Sequence, residues 1–347
     1  MLELHEPEGA FDAIEQYLES ERFFERHDCV ADLYLGYGLS RPLQRIAAPP
    51  RPEPCRLPLA ACRIRPIASR AETVQGSEPF RCLEFVRSWD DHGYATAIEA
   101  VRDAIGRGDV YQVNLVQHLH APFAGDPAAL AQALAPLRPL VPRPFLGDDW
   151  AVVSASPELF LARRGRRVRT QPIKGTRPAG VSVDDPKDAA EHVMIVDLER
   201  NDLARVCEPG SIRWPELQRE RELAGVTHRV STVEGTLREG VGPAELLSAL
   251  FPGGSVTGAP KIAALDVIAA LEPVGRGASM GALGTIRPNG DLDLALTIRT
   301  FAVADGSIHL WVGGGIVWDS DPAAEIEESW VKARPLLAAL DGSSVAA

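Results

Sequence analysis

No apolar run in this sequence approaches the ~20 residues that a membrane-spanning helix needs. Cysteine is scarce: Cys29, Cys55, Cys62, Cys82 and Cys207 are odd in number and show no metal-type spacing. Free thiols in a reducing cytoplasm are the expectation. Basic residues are outnumbered, 36 Lys+Arg against 48 Asp+Glu, for a formal charge of −12. A nucleic-acid partner needs a net basic face, so none is expected. The opening MLELHEPEG lacks the basic-then-apolar order of a signal peptide, so export is not expected either. There is no repeat at solenoid period and no long low-complexity tail.

What is present is ordinary globular composition, 45% hydrophobic and 24% charged. A chain of this length buries roughly three quarters of its unfolded surface, enough for one large domain or two medium ones. Residues 1–90 read differently from 91–347. A helical stretch from Gly9 to Arg26 carries Phe11, Ile14 and Leu18 on one face, and a Pro/Arg-rich run from Arg41 to Pro66 follows. Its prolines remove backbone donors, so loop or edge-strand structure is expected there. From Thr96 to Arg107 the spacing of Ile98, Val101 and Ile105 predicts a helix. Strand-like runs come next (VYQVNLVQHLHA, AVVSASPELFLARR, RVRTQPIKG), then a charged helix over about Pro186–Cys207 and another from Pro260. A hairpin turning at Asp305-Gly306 precedes a last helix, Pro322 to Leu340, that Pro335 is expected to kink or interrupt. Strands and helices mix without strict alternation, which predicts an α/β (α+β) fold with substantial antiparallel sheet.

Four places carry more polar and glycine character than a core needs. Asp188 and Glu191 are three apart on one helix, and Glu325 and Glu328 are three apart on another, so each pair shares a helix face. Two such faces meeting would gather hard oxygens suited to Mg²⁺, although acidic residues in a first helical turn also suit the macrodipole. Glycines 253, 254 and 258 precede Pro260 and Lys261, a candidate anion seat that fails the Walker pattern. Gly313, Gly314 and Gly315 lie on a strand, where close backbone approach or a bulge would each explain them. Last, Glu158 in Ser-Pro-Glu and Lys174 in Pro-Ile-Lys-Gly-Thr sit on neighbouring strand runs. Lys174 reads either as a solvated edge residue or as a desolvated amine of lowered pKa able to act as a nucleophile.

As a set, PIKGT, DLERNDLARV, HRVSTVEG, FPGGSVTGAPK and GGGIVWDSDPAAEIEESWVKAR resemble the chorismate-utilising enzymes in wording and order, from Thr96 to about Leu340. Within that family the lysine of PIKGT is similar to the aminodeoxychorismate synthase component I branch; anthranilate synthases carry alanine there. The resemblance implies two layered antiparallel sheets wrapped by helices, with the site in the cleft between them, on a catalytic domain spanning 91–347. It implies a covalent role for Lys174 at C2 of chorismate and an acid/base role for Glu158. Glu191 and Glu328 match direct Mg²⁺ ligands, and Asp188 and Glu325 match neighbours reaching the metal through water. Arg299 and Lys332, aided by backbone near Gly313, Gly315, Thr257 and Gly258, match groups that hold substrate carboxylates. Asn114 and His228 match further active-site polar positions, with a structural role for either left open.

Thr285 stands where many members carry an aromatic after Gly284, so one substrate contact is expected to be lost or replaced. No counterpart of the tryptophan pocket of larger members is found before Thr96. No glutaminase triad is evident, Cys207 lying in Arg-Val-Cys-Glu. Nitrogen is therefore expected from a separate glutamine amidotransferase subunit, or from free ammonia at high pH, with a separate lyase completing para-aminobenzoate for folate synthesis. The readings that stay open are anthranilate synthase component I, an isochorismate or salicylate synthase, and a non-catalytic chorismate-binding protein.

Overall fold

Alternation of side chains between two faces decides where the strands go. In Ser307–Ile316, Ile308, Leu310 and Val312 pack into one apolar cluster while Trp311 packs into another, as a two-residue period requires of a strand covered on both faces. The computed structural model describes residues 1–46, 49–67, 79–178, 186–223 and 226–341. Their strands form two sheets, and every named pairing is antiparallel.

The ten-stranded sheet runs in space from Leu2–Leu4 through Ala60–Pro66, Cys29–Leu35, Ala282–Ile286, Leu292–Leu296, Leu159–Arg164, Arg167–Gln171 and Val226–Thr236 to Ile173–Pro178, with Arg213–Leu223 also on Val226–Thr236. The eight-stranded sheet is built on the long pair Gln112–Ala124 and Ser307–Ile316, in register from Val113↔Ile316 to Pro122↔Ser307. The main apolar cluster joins the two sheets, with Leu33, Leu161 and Leu294 from one meeting Val113, Leu115 and Trp311 from the other. Helices Pro127–Leu134 and Pro322–Asp341 cover the outer face of the eight-stranded sheet through Leu130, Leu134, Leu336 and Leu340. Each such buried side chain contributes about 1.5–3 kcal/mol. This is the mixed α/β, layered antiparallel architecture that the sequence implies.

Several expectations need correction. Residues 1–90, which read differently from 91–347 in the sequence, supply strands Leu2–Leu4, Cys29–Leu35 and Ala60–Pro66 to the large sheet, Cys29–Leu35 pairing directly with Ala282–Ile286. The Pro/Arg-rich run ends in an interior strand because its last segment, AACRIRP, is free of proline until Pro66. The run 151–164 is two strands, Trp150–Ser154 and Leu159–Arg164, which belong to different sheets. The chain crosses between sheets at Ala155-Ser156-Pro157-Glu158, and this crossing delivers Glu158 to the space between them. Pro335 does not break helix Pro322–Asp341, which continues through it. No helix among the described residues is long and apolar enough to cross a membrane.

Candidate active site

A cavity of about 170 Å³ opens where the crossing, the glycine strand and two helices converge. Among its walls are Asn114, Glu158, Lys174, Glu191, Arg299, Gly313, Gly315, Glu325, Glu328 and Lys332. Ten positions singled out in the sequence thus meet in one space. They come from strands Gln112–Ala124, Ile173–Pro178 and Ser307–Ile316, helices Pro186–Ala204 and Pro322–Asp341, and two connections.

Lys174 Nζ lies 2.9 Å from Glu191 Oε1, and Gln112 Nε2 donates to the same oxygen. Burial acts to lower the Lys174 pKa, but Glu191, then Glu158 and Glu328, outweigh it and hold the ammonium above its usual value. The sequence-level idea of an amine with lowered pKa is therefore corrected for this state: three carboxylates surround it.

Glu158 is 5% exposed, and Ser255 donates its Oγ–H to Glu158 Oε1 at 2.7 Å. Desolvation raises its pKa despite that hydrogen bond and the nearby cations Lys174 and Arg299. A carboxyl biased toward its protonated form is what a general acid requires. Burial lowers the pKa of the Arg299 guanidinium, Glu158 opposing the shift, and its backbone is left-handed at φ 50°. A non-glycine residue held there marks a strained position. Asn114 lines the cavity, and its Nδ2 is buried without a protein partner.

From helix Pro322–Asp341, Lys332 Nζ donates to Gly313 O at 2.8 Å and pairs with Glu328 Oε1 at 2.7 Å. The glycine strand is explained by what a Cβ would meet. At Gly314 it would lie 3.3–3.5 Å from Lys332 Nζ, Glu328 Oε1 and Glu325 Oε2; at Gly315 it would overlap Gln112 Nε2 and come within 2.5 Å of Glu191 Oε1. At Gly313 it would run into the backbone of Leu115 and Val116, so close strand approach is the reason there.

Other expected residues stand elsewhere. Thr257 and Gly258 do not line the cavity. Thr257 Oγ1 donates to the carbonyls of Gly253 and Gly254, and Gly258 pairs with Val113, where a Cβ would collide with Gln112 O. At the start of the following helix, Lys261 Nζ is taken up by Asp202 and the carbonyls of Leu250 and Pro252. Their neighbours Ser255 and Val256 line the cavity instead. Thr285 lies on a different surface with Arg26, Arg65 and Arg143, away from the cavity. The side chains of Asp188 and His228 lie outside the described residues; their backbones belong to helix Pro186–Ala204 and strand Val226–Thr236. Among the described residues no three His, Cys, Asp or Glu side chains close into a metal-binding group, two of the cavity's glutamates being held by lysines. Sequence reasoning missed Ser255, Met280, Ile298 and Trp311. The hydroxyl of Ser255 inside a glycine run was the one available signal.

The chorismate binding enzyme family model matches residues 46–338. Anthranilate synthase component 1 of Thermus thermophilus is 43% identical over 283 residues, covering 77% of this chain and 61% of that protein. Aminodeoxychorismate synthase component 1 of Klebsiella aerogenes is 41% identical over 263 residues, covering 72% and 58%. The crystal structure of anthranilate synthase component I from Streptococcus pneumoniae TIGR4 superposes with a TM-score of 0.79 at 25% identity, over 91% of this chain and 84% of that one. The chain spans about three fifths of the length of these two curated relatives. With most of its length matched and its polar motifs gathered around one cavity, the chain belongs to the chorismate binding enzyme family.

Proposed function

We propose that this chain is the aminating component of an aminodeoxychorismate synthase, converting chorismate and ammonia to 4-amino-4-deoxychorismate and water. The observation that carries the reading is Lys174 Nζ in the wall of a cavity that Glu158 also lines. Relatives bear both component names at similar identity, so the finer assignment rests on this amine.

Lys174, once deprotonated, adds to C2 of the ring while the 4-hydroxyl departs through the conjugated diene, and Glu158 supplies the proton that turns hydroxide into water. Ammonia then adds at C4 and expels the lysine, returning the amine and leaving the enolpyruvyl group attached. Arg299 and Lys332, with the unused Asn114 Nδ2, supply donors for the two carboxylates of the substrate.

The donor chemistry of the cavity fits a hard divalent cation. Glu191, Glu325 and Glu328 share its wall, and glycine at 314 keeps a side chain away from the Glu325 and Glu328 oxygens. Glu191 and Glu328 would hold Mg²⁺, with Glu325 and Asp188 through water. When bound, the ion supplies positive charge for the ring carboxylate of a dianionic substrate that a chain of charge −12 otherwise repels.

Relatives named component 1 imply a second component, here a glutamine amidotransferase delivering ammonia, with a lyase acting later toward para-aminobenzoate and folate. The second reading, anthranilate synthase, is favoured by the identity to the Thermus thermophilus relative. The two differ in one product. With chorismate, Mg²⁺ and ammonium salt and no lyase, the proposed activity consumes chorismate without releasing pyruvate; pyruvate equal to chorismate consumed overturns it.

A further inference from the structure

Arg276 reaches the cavity wall from outside. Its side chain is 2% exposed and does not line the cavity. Nε and Nη2 donate to Glu272 Oε2 and Oε1 at 2.8 and 2.7 Å. Nη1 donates to Val256 O at 2.8 Å, and Nη2 also donates to Asn114 O at 2.6 Å. Glu272 Oε1 accepts the Val116 N–H at 3.0 Å as well, and the Tyr37 ring lies 4.5 Å from the guanidinium carbon.

Stability alone is a poor reason for such a pair, since a packed apolar pair often serves a core as well or better. What a planar guanidinium gives is geometry, several acceptors fixed in one plane. The acceptors here are telling. Asn114 and Val256 both line the cavity, and Ser255, next to Val256, is the donor to Glu158. The Asn114 N–H in turn donates to Thr257 O at 2.7 Å, closing a ring between the strand and the glycine loop.

We propose that Arg276 and Glu272 are a positioning pair that holds Ser255 against Glu158 and Asn114 in the cavity wall, so that turnover depends on a buried ion pair that touches no substrate. The proposal rests on the cavity being the reaction site and is indifferent to which amine is made there.

The test compares Arg276→Lys and Glu272→Gln with the parent, following total chorismate consumption, the pH profile of kcat and the unfolding midpoint. Lysine keeps the charge but cannot hold two carbonyls and both carboxylate oxygens together. Arg276→Lys is expected to lower kcat roughly tenfold to a hundredfold with KM little changed, as misplaced catalytic groups do. It should also move the basic limb of the profile to higher pH, because the Ser255 hydrogen bond acts to lower the Glu158 pKa. The other charges facing Glu158 (Lys174, Arg299 and the buried Glu199) are untouched by the change. Ser255→Ala should reproduce the limb shift, and the double variant with Arg276→Lys should add little to it. Glu272→Gln carries the same signature should Arg276→Lys fail to fold. Folded variants with parental kcat and pH profile, differing only in unfolding midpoint, overturn the proposal. A parent yielding anthranilate and pyruvate would sink the functional reading while leaving this comparison intact; a parent that consumes no chorismate removes both.

Discussion

Lys174 Nζ and Glu191 Oε1 lie 2.9 Å apart with their side chains 13% and 12% exposed, an ion pair set inside the wall of a cavity. It joins the strand Ile173–Pro178 to the helix Pro186–Ala204, two elements that the sequence offers only as separate motifs. The pair states the problem the enzyme must solve: the proposed nucleophile starts as an ammonium, and the proposed metal ligand starts as its partner.

Glu158 is tested by substitution. Glu158→Gln keeps the shape and the Ser255 contact but removes the transferable proton, and is expected to lower kcat by about 10²–10⁴-fold. Steady-state turnover of chorismate with ammonium salt is the check; a loss below tenfold would leave Glu158 without an acid role.

The metal assignment predicts a change in how activity responds to Mg²⁺. Glu191→Gln or Glu328→Gln each removes a hard anionic donor and should shift half-saturation to higher Mg²⁺. Titrating Mg²⁺ against initial rate measures this, and saturation at the parental concentration contradicts the assignment.

Gly315 and Gly314 should differ in their tolerance of a methyl group. Alanine at 315 must displace the head groups of Gln112 and Glu191, whereas alanine at 314 meets side-chain ends no closer than 3.3 Å. Gly315→Ala is expected to lose most of the activity by pushing Gln112 and Glu191 out of place, with a smaller effect on stability, and Gly314→Ala to do much less of both. Unfolding midpoints and turnover of the two proteins give the comparison.

A buried histidine group sets an acid limit on stability. His118 Nε2 lies 3.0 Å from His309 Nδ1, and Ser88 Oγ lies 2.6 Å from His118 Nδ1. Burial first, then the neighbouring His309 and His120, hold His118 down to about 3; burial and His120 hold His309 down to about 4. Both rings are neutral when folded and take up protons near 6.5 when unfolded, so their contribution is complete above that pH. It is lost as pH falls below it, by about 2 kcal/mol for each ring at about pH 5. Denaturant unfolding at pH 8 and pH 5 should show that loss in the parent and a smaller one in His118→Asn; an equal loss in both excludes the ring as the cause.

The sequence carried the site better than the frame around it. The hairpin of Thr300–Ala304 and Ser307–Ile316 turns at Asp305-Gly306 as read, with Asp305 left-handed at φ 52°, because alternation and turn chemistry are local. The pair Arg213–Leu223 and Val226–Thr236 was not legible, since RWPELQREREL is too charged to show an apolar face. The crossing at Ala155–Glu158 was hidden inside what looks like one strand, although it decides where Glu158 points. Ser255 and Arg276 act through hydrogen bonds to residues far away in the chain, for which spacing holds no signal.

Lys174→Ala set beside the parent is the most direct test, with chorismate, Mg²⁺ and ammonium salt supplied and products identified by mass. The parent should yield 4-amino-4-deoxychorismate with its enolpyruvyl group retained; the variant, folded, should lose nearly all of that product and divert what turnover remains toward anthranilate. The same product at the same rate from both proteins would contradict the role assigned to this amine.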